Sequence, residues 1–220
     1  MNQLAFLHIP KTGGRTMIEL CRYFYRPDQC GTIIGKTSED TIKGYQFIHS
    51  HFAYDILPPT KARLVFTILR EPGRRIASYY QMCLKSRPED WSLYSLFWRG
   101  NKPMPILDFA MNKINMTAQV DNAMVRQLHS YALLTSLNKV NEGHVEVAIR
   151  NLSNLMVGFQ DNYDAFVDRL CAEMGWQKPD YPSNNRSMPY TISESILEEI
   201  RAINRYDVML YEWAKDNLRD

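Results

Sequence analysis

At 220 residues the chain is long enough for one well-buried core and short for two, so a single domain over 1–220 is expected. Its 26 Lys and Arg against 24 Asp and Glu leave a formal charge of +2, which excludes a protein that coats nucleic acid and makes any basic site a local one. Four cysteines (Cys21, Cys30, Cys83, Cys171) have neither CxxC spacing nor disulfide-scaffold density, and no run reads as a leader or approaches the ~20 apolar residues of a spanning helix. A reducing, cytoplasmic setting without a membrane anchor is expected.

Residues 4–9 are apolar enough for a buried strand, and after "PKTGGRT" the segment 16–25 can be a helix. "YQFIHSHF" (45–52) reads as a strand or strand end. "RLVFTILR" (63–70) is rich in β-branched and aromatic residues and stops at "EPGRR", where Pro72 suits a first helical position. Ile76, Tyr79 or Tyr80, Cys83 and Leu84 then recur at helical spacing. Two strand-to-helix units predict an α/β fold with a mostly parallel sheet. Residues 88–150 read as mainly helical, punctuated by Pro88, Gly100, Pro103, Pro105 and Gly143, and "NLMVGF" (154–159) as a late strand. "QKPDYPSNNRSMP" (177–189) suits a loop over a site. In the tail, Thr191 and Glu194 fit a capping box, with Ile196, Ile200, Ile203, Leu210 and Ala214 on one helical face.

Two stretches carry anion chemistry. In "FLHIPKTGGRT" (6–16) the backbone amides from Thr12 to Thr16 can curl at a helix N-terminus, where the macrodipole favours negative charge. Lys11 adds a mobile cation; Thr12 and Thr16 add hydroxyls. The lysine precedes the glycines, so this is not a Walker A loop. An ordinary Gly-Gly turn is the competing reading of the loop alone. In "LREPGRRIASYY" (69–80) Arg70 ends a strand, and Arg75 and Ser78 share a face of the next helix. Arg70 and Ser78 can together hold a second anionic group, while Arg74 and Arg75 read first as solvated charges. Anion sites at two strand ends point to one ligand with phosphate-like groups at two places.

Together these stretches resemble the signature pair of sulfotransferases that use 3′-phosphoadenosine 5′-phosphosulfate (PAPS), of the carbohydrate type that includes the uronyl and heparan sulfate 2-O-sulfotransferases. "HSHF" (49–52), "DNAMVRQL" (121–128), "VGFQDNYDAFVDRL" (157–170), "NNRS" (184–187) and "RYDVMLYEWA" (205–214) fall in that family's order. The resemblance implies a P-loop-kinase-like, Rossmann-like fold with a parallel central sheet flanked by helices. It implies that Lys11, Thr12, Gly13, Gly14, Arg15 and Thr16 hold the 5′-phosphosulfate, that Arg70 and Ser78 hold the 3′-phosphate, and that Arg186 helps cover the nucleotide. The product would be PAP. No metal is required in principle, because a sulfuryl group carries less charge than a phosphoryl group. The acceptor would be a carbohydrate or small hydroxylated molecule.

The acceptor hydroxyl needs a base. His51 is the first candidate, because it titrates near neutrality and the H-x-H element is where the 2-O-sulfotransferases place a catalytic histidine. Period-two spacing puts His49 on the same face. His49 and a carboxylate such as Asp55 or Glu71 are the alternatives, and His8 reads as a packed strand residue. In "DNAMVRQL" Met124, Val125 and Leu128 suggest a packed helix with Asn122, Arg126 and Gln127 partly exposed; a sharper reading sets Arg126 against an acidic acceptor. Two competing functions stay open: a P-loop-like nucleotide-dependent kinase, and a noncatalytic domain that binds PAP or anionic glycan.

Overall fold

Strand β1 (Gln3–Leu7) is built from side chains that alternate between two apolar layers, Leu4 and Phe6 on one face and Ala5 and Leu7 on the other. All four are fully buried, as a central parallel strand requires. The computed structural model describes residues 3–33, 42–58, 60, 63–85, 97–99, 102–112, 117–181 and 192–218.

After β1 come α1 (Gly14–Phe24), β2 (Cys30–Thr32), β3 (Phe47–Ser50), β4 (Arg63–Leu69) and α2 (Pro72–Lys85). A short hairpin of β5 (Trp98–Arg99) and β6 (Lys102–Pro103) leads to α3 (Ile106–Met111), α4 (Thr117–Val120), α5 (Ala123–His129), α6 (Tyr131–Thr135) and α7 (Glu142–Leu152). Strand β7 (Met156–Phe159), α8 (Tyr163–Met174), α9 (Glu194–Ile203) and α10 (Arg205–Leu218) complete the chain.

Five strands form one parallel sheet in the order β2-β3-β1-β4-β7. The chain leaves β1 toward β2 and β3 and then crosses to β4 on β1's other side. The C-terminal ends of β1 and β4 therefore flank the switch point, where open α/β sheets bind ligands. Residues of α1 and α8 cover one face; α5, α7 and α10 cover the other. A third cluster joins α2, α3 and α9 through Ile76, Tyr79, Tyr80, Phe109 and Ile200.

The expected parallel α/β sheet is present, and Pro72 does begin α2. Strand β2 and the β5–β6 hairpin, of three and two-plus-two residues, are too short for a periodic signal. The tail departs from the single helix expected. Asn204 separates α9 from α10, so Ile196 and Ile200 join the α2–α3 cluster while Leu210 and Ala214 join the sheet. The break has a polar cause: the buried Asn204 side-chain Oδ1 accepts the Asn122 N–H (2.8 Å), and the Asn122 side-chain Oδ1 accepts the N–H groups of Tyr206 and Asp207 (both 3.1 Å). Asp207 returns the favour to α5, accepting from Met124 N (3.2 Å) and Val125 N (2.9 Å). The N-cap of α9 is Ser193, whose hydroxyl accepts from Ile196 N; Thr191 lies outside the described residues.

Candidate active site at the ends of β1 and β4

The loop after β1 takes its shape from two left-handed residues, Lys11 (φ 72°) and Gly13 (φ 96°). Such a conformation costs a non-glycine residue about 1–2 kcal/mol, so Lys11 is held in place by its surroundings. Thr12 is fully buried and its hydroxyl donates to the Ile9 carbonyl (2.8 Å). The hydroxyl proton expected to reach an anion is thus committed to bracing the loop, which leaves Thr12 its backbone amide. Helix α1 starts at Gly14, two residues before its expected start, with Met17 N donating to Gly13 O as its first turn closes. The amides of Gly14, Arg15 and Thr16 precede that bond and point out of the helix end. No acidic residue occupies the first turn of α1.

Both glycines are close-approach positions. A Cβ on Gly13 would lie 3.0 Å from the Tyr163 ring, whose hydroxyl donates to Gly13 O (3.3 Å). A Cβ on Gly14 would lie 1.8 Å from His8 Nε2. Arg15 is exposed and Thr16 buried. Thr16 borders a cavity of about 140 Å³ lined also by Leu20, Tyr23 and Tyr181, with Glu19 and Asp180 at its wall.

Arg70, one residue past β4, reaches across the switch point and donates from Nη1 to the Lys11 carbonyl (3.0 Å). Among the described residues its Nε is buried without a hydrogen-bond partner, a polar atom left for a ligand to satisfy. Burial, and next the Arg70 guanidinium, hold the Lys11 ammonium below its usual range. Burial, then Arg74, act likewise on Arg70. Two cations kept this close, with no acid in the first turn of α1, make a local positive site on a nearly neutral protein, offset in part by Glu71 at the start of α2. Ser78 is buried on α2. Arg75 is not the solvated charge expected: it is fully buried, donates to Gln119 O (3.0 Å) and sits 3.9 Å from the Asp207 carboxylate. Arg186 lies outside the described residues.

The histidines of "HSHF" and His8 gather beside this loop. His51, exposed just past β3, packs its ring 4.4 Å from that of His8, and its Nδ1 bonds the His8 carbonyl (2.6 Å). A carbonyl only accepts, so Nδ1 carries the proton and the lone pair of neutral His51 sits on Nε2. Desolvation of the ring where it packs on His8 pushes the His51 imidazole down, partly offset by that bond. His49 lies on the α1 side of the sheet as its spacing predicts, but its Nε2 is 3.4 Å from Arg22 of α1, and burial with that guanidinium lowers it to about 4. His8 is stacked on Phe6 and lowered to about 3 by burial, His51, His49 and Lys11.

The two alternative carboxylates serve as caps. Glu71 accepts from Gly73 N (2.9 Å), Arg74 N (2.8 Å) and Arg201 Nε (3.0 Å). Asp55 accepts from Tyr131 N (2.7 Å) at the start of α6.

On α5, the residues expected to be partly exposed are buried: Asn122 (3%), Arg126 (0%) and Gln127 (1%). Arg126 spends its donors on the carbonyls of Asp121, Leu133, Ser136 and Asn138 and on the Asp121 carboxylate, so no acceptor-facing fork remains. Gln127 reaches the site that sequence reasoning did not give it, donating to His8 O and Phe52 O (both 3.0 Å). Its only signal was its membership of "DNAMVRQL"; Tyr163 likewise lay inside a quoted segment with no role attached.

No protein-family profile and no curated protein matches this chain. Among solved structures, a sulfotransferase from Alicyclobacillus acidocaldarius aligns over 97% of this chain and 95% of its own, at 15% identity and a TM-score of 0.52. A mouse sulfotransferase complexed with PAP aligns over 98% and 89%, at 13% identity and a TM-score of 0.34, too low to bear on the fold. At such identities the likeness concerns the fold alone. The five-stranded parallel sheet flanked by helices is a P-loop-like, sulfotransferase-type fold.

Proposed function

We propose that this protein is a PAPS-dependent sulfotransferase that moves a sulfuryl group to a hydroxyl, the acceptor being a carbohydrate or a small hydroxylated metabolite. The observation that carries the reading is the joint between Arg70 and Lys11 O, which fixes a helix-terminal amide cradle beside a guanidinium with an unpartnered buried Nε. One ligand with anionic groups at two places suits that pair. The carbohydrate acceptor rests on the motif resemblance.

The donor, when bound, supplies an activated sulfuryl group. Gly13 and Gly14 let the Tyr163 and His8 rings pack against the loop, and the amides of Gly14, Arg15 and Thr16 would hold the donor's oxygens. Lys11 would stabilise the charge left on the bridging oxygen as the S–O bond to phosphate breaks. Arg70 and Ser78 would hold the 3′-phosphate, and the tyrosine-lined cavity beside Thr16 offers walls against which a purine can stack. His51, neutral at pH 7, would take the acceptor's proton on Nε2 as the new O–S bond forms.

Calorimetric titration with PAP, with 5′-AMP and with ATP plus Mg tests the reading. Selective binding of PAP supports it. Preference for ATP plus Mg, with turnover of ATP and none of PAPS, would replace it with the kinase reading; PAP binding with no transfer to a broad acceptor panel would replace it with a noncatalytic one.

A further inference from the structure

We propose that Gln127 is a positioning residue that fixes the tautomer and orientation of His51 through the carbonyl of His8; the inference rests on the reading of His51 as the base. The parallel ladder between β1 and β3 makes its last rung where His8 N donates to Ser50 O (3.0 Å). Beyond it the two chains diverge, one into the Lys11 loop and the other through His51 and Phe52. Gln127 bridges that divergence from the opposite layer, one amide nitrogen donating to both His8 O and Phe52 O. Only an NH₂ group can serve two carbonyls, so the amide's orientation is fixed by its partners.

The His8 carbonyl then has two donors, Gln127 Nε2 and His51 Nδ1. Gln127 holds this oxygen in place for the imidazole and ties down the residue that follows His51. Its own helix is anchored, with Asp207 on the amides of Met124 and Val125, and Arg126 bonded to Asp121 and three further carbonyls. Among the described residues, the titratable and charged neighbours of the ring are His8, just past β1, and His49 on β3, with Lys11 and Arg22 acting on those two. None of them donates to the His8 carbonyl. The tautomer therefore depends on the backbone geometry that Gln127 sets.

The test is ¹⁵N spectroscopy of histidine-labelled full-length protein, with the His51 signals assigned by their loss in His51→Ala. The wild type should hold His51 with its proton on Nδ1. Gln127→Met, close in volume but without donors, should move the population toward the Nε2–H form and reduce conversion of PAPS to PAP, assayed with a panel of sugars, by about tenfold or more, within the 10²–10⁴-fold span of general-base contributions. PAP affinity should stay within about twofold. If Gln127→Met fails to fold, Gln127→Glu keeps the volume, and its carboxylate facing two carbonyls should give the same shift. An unchanged Nδ1–H tautomer in the folded variant would overturn the proposal. A shifted tautomer with full turnover would leave the positioning intact and remove His51 as the base.

Discussion

Gly14→Ala sets two opposite effects against each other. In the first turn of α1, alanine should gain about 0.5–1 kcal/mol over glycine, because less backbone freedom is lost on folding. Yet the new Cβ would lie 1.8 Å from His8 Nε2, deep inside the ~3.5 Å of an ordinary contact. The imidazole cannot yield cheaply, with Phe6 stacked at 5.0 Å and His51 at 4.4 Å between centroids. Overpacking of this kind costs about 1–3 kcal/mol, and the depth of the overlap puts it at the upper end. The clash wins, giving a net loss of about 2 kcal/mol and a fall in Tm of roughly 4–8 °C for a chain of this size. In a His8→Ala background the clash is gone, and the same substitution should stabilise by ~0.5–1 kcal/mol. Urea unfolding of the four proteins closes the double-mutant cycle. An equal cost of Gly14→Ala in both backgrounds would refute the close packing of His8 on the cradle.

Arg70→Ala should weaken PAP binding by about 10–100-fold, the worth of charge-assisted bonds to a phosphate, and 5′-AMP binding only by the roughly few-fold that losing the Lys11 carbonyl bond costs the cradle. Equal losses in calorimetry would take the 3′-phosphate away from Arg70. Lys11→Gly should abolish transfer while leaving stability unchanged or up to ~1 kcal/mol higher, since glycine relieves the φ of 72°; a clear loss of stability would contradict the strain. Asp207→Ala strips the amides of Met124 and Val125 and leaves Arg75 a buried charge, at a cost of about 3–5 kcal/mol, and denaturant unfolding showing under 1 kcal/mol would deny that coupling. Acid should destabilise the fold early. His8 and His49 are held at about 3 and about 4 against an ordinary 6.5, so their stabilisation is full above pH 6.5 and drains as pH falls through those values. Asp207, raised to about 6 by burial, acts in the opposite sense, its penalty easing as pH falls from 6 toward 3.8. With His51 lowered as well, the histidines outweigh the one carboxylate, so the urea midpoint should fall between pH 6.5 and 4.5, and a flat or rising midpoint would reverse the sign.

The anion cradle was legible because its signals are short-range. "KTGGRT" behind an apolar run fixes a strand, a glycine loop and a helix N-terminus within a dozen residues, and "LREPGRR" repeats the logic at β4. Within those stretches the sequence misjudged what depends on distant partners. Thr12 spends its hydroxyl on Ile9, Arg75 turns inward to Asp207, and Arg126 is consumed by four carbonyls and a carboxylate. The tail shows the same limit, since its apolar spacing runs on unbroken while the break at Asn204 is dictated by Asn122, 82 positions away.

Periodicity and turn chemistry act over a few residues, so the strand-loop-helix units, the parallel sheet and the cationic groups at two strand ends could be read from the residues alone. Which groups meet came from the fold: Arg70 with the Lys11 carbonyl, 59 residues apart, and Gln127 with His8, 119 apart. A hydrogen bond is specified by geometry at both ends. Sequence fixes each end's chemistry, and packing alone brings the ends within 3 Å.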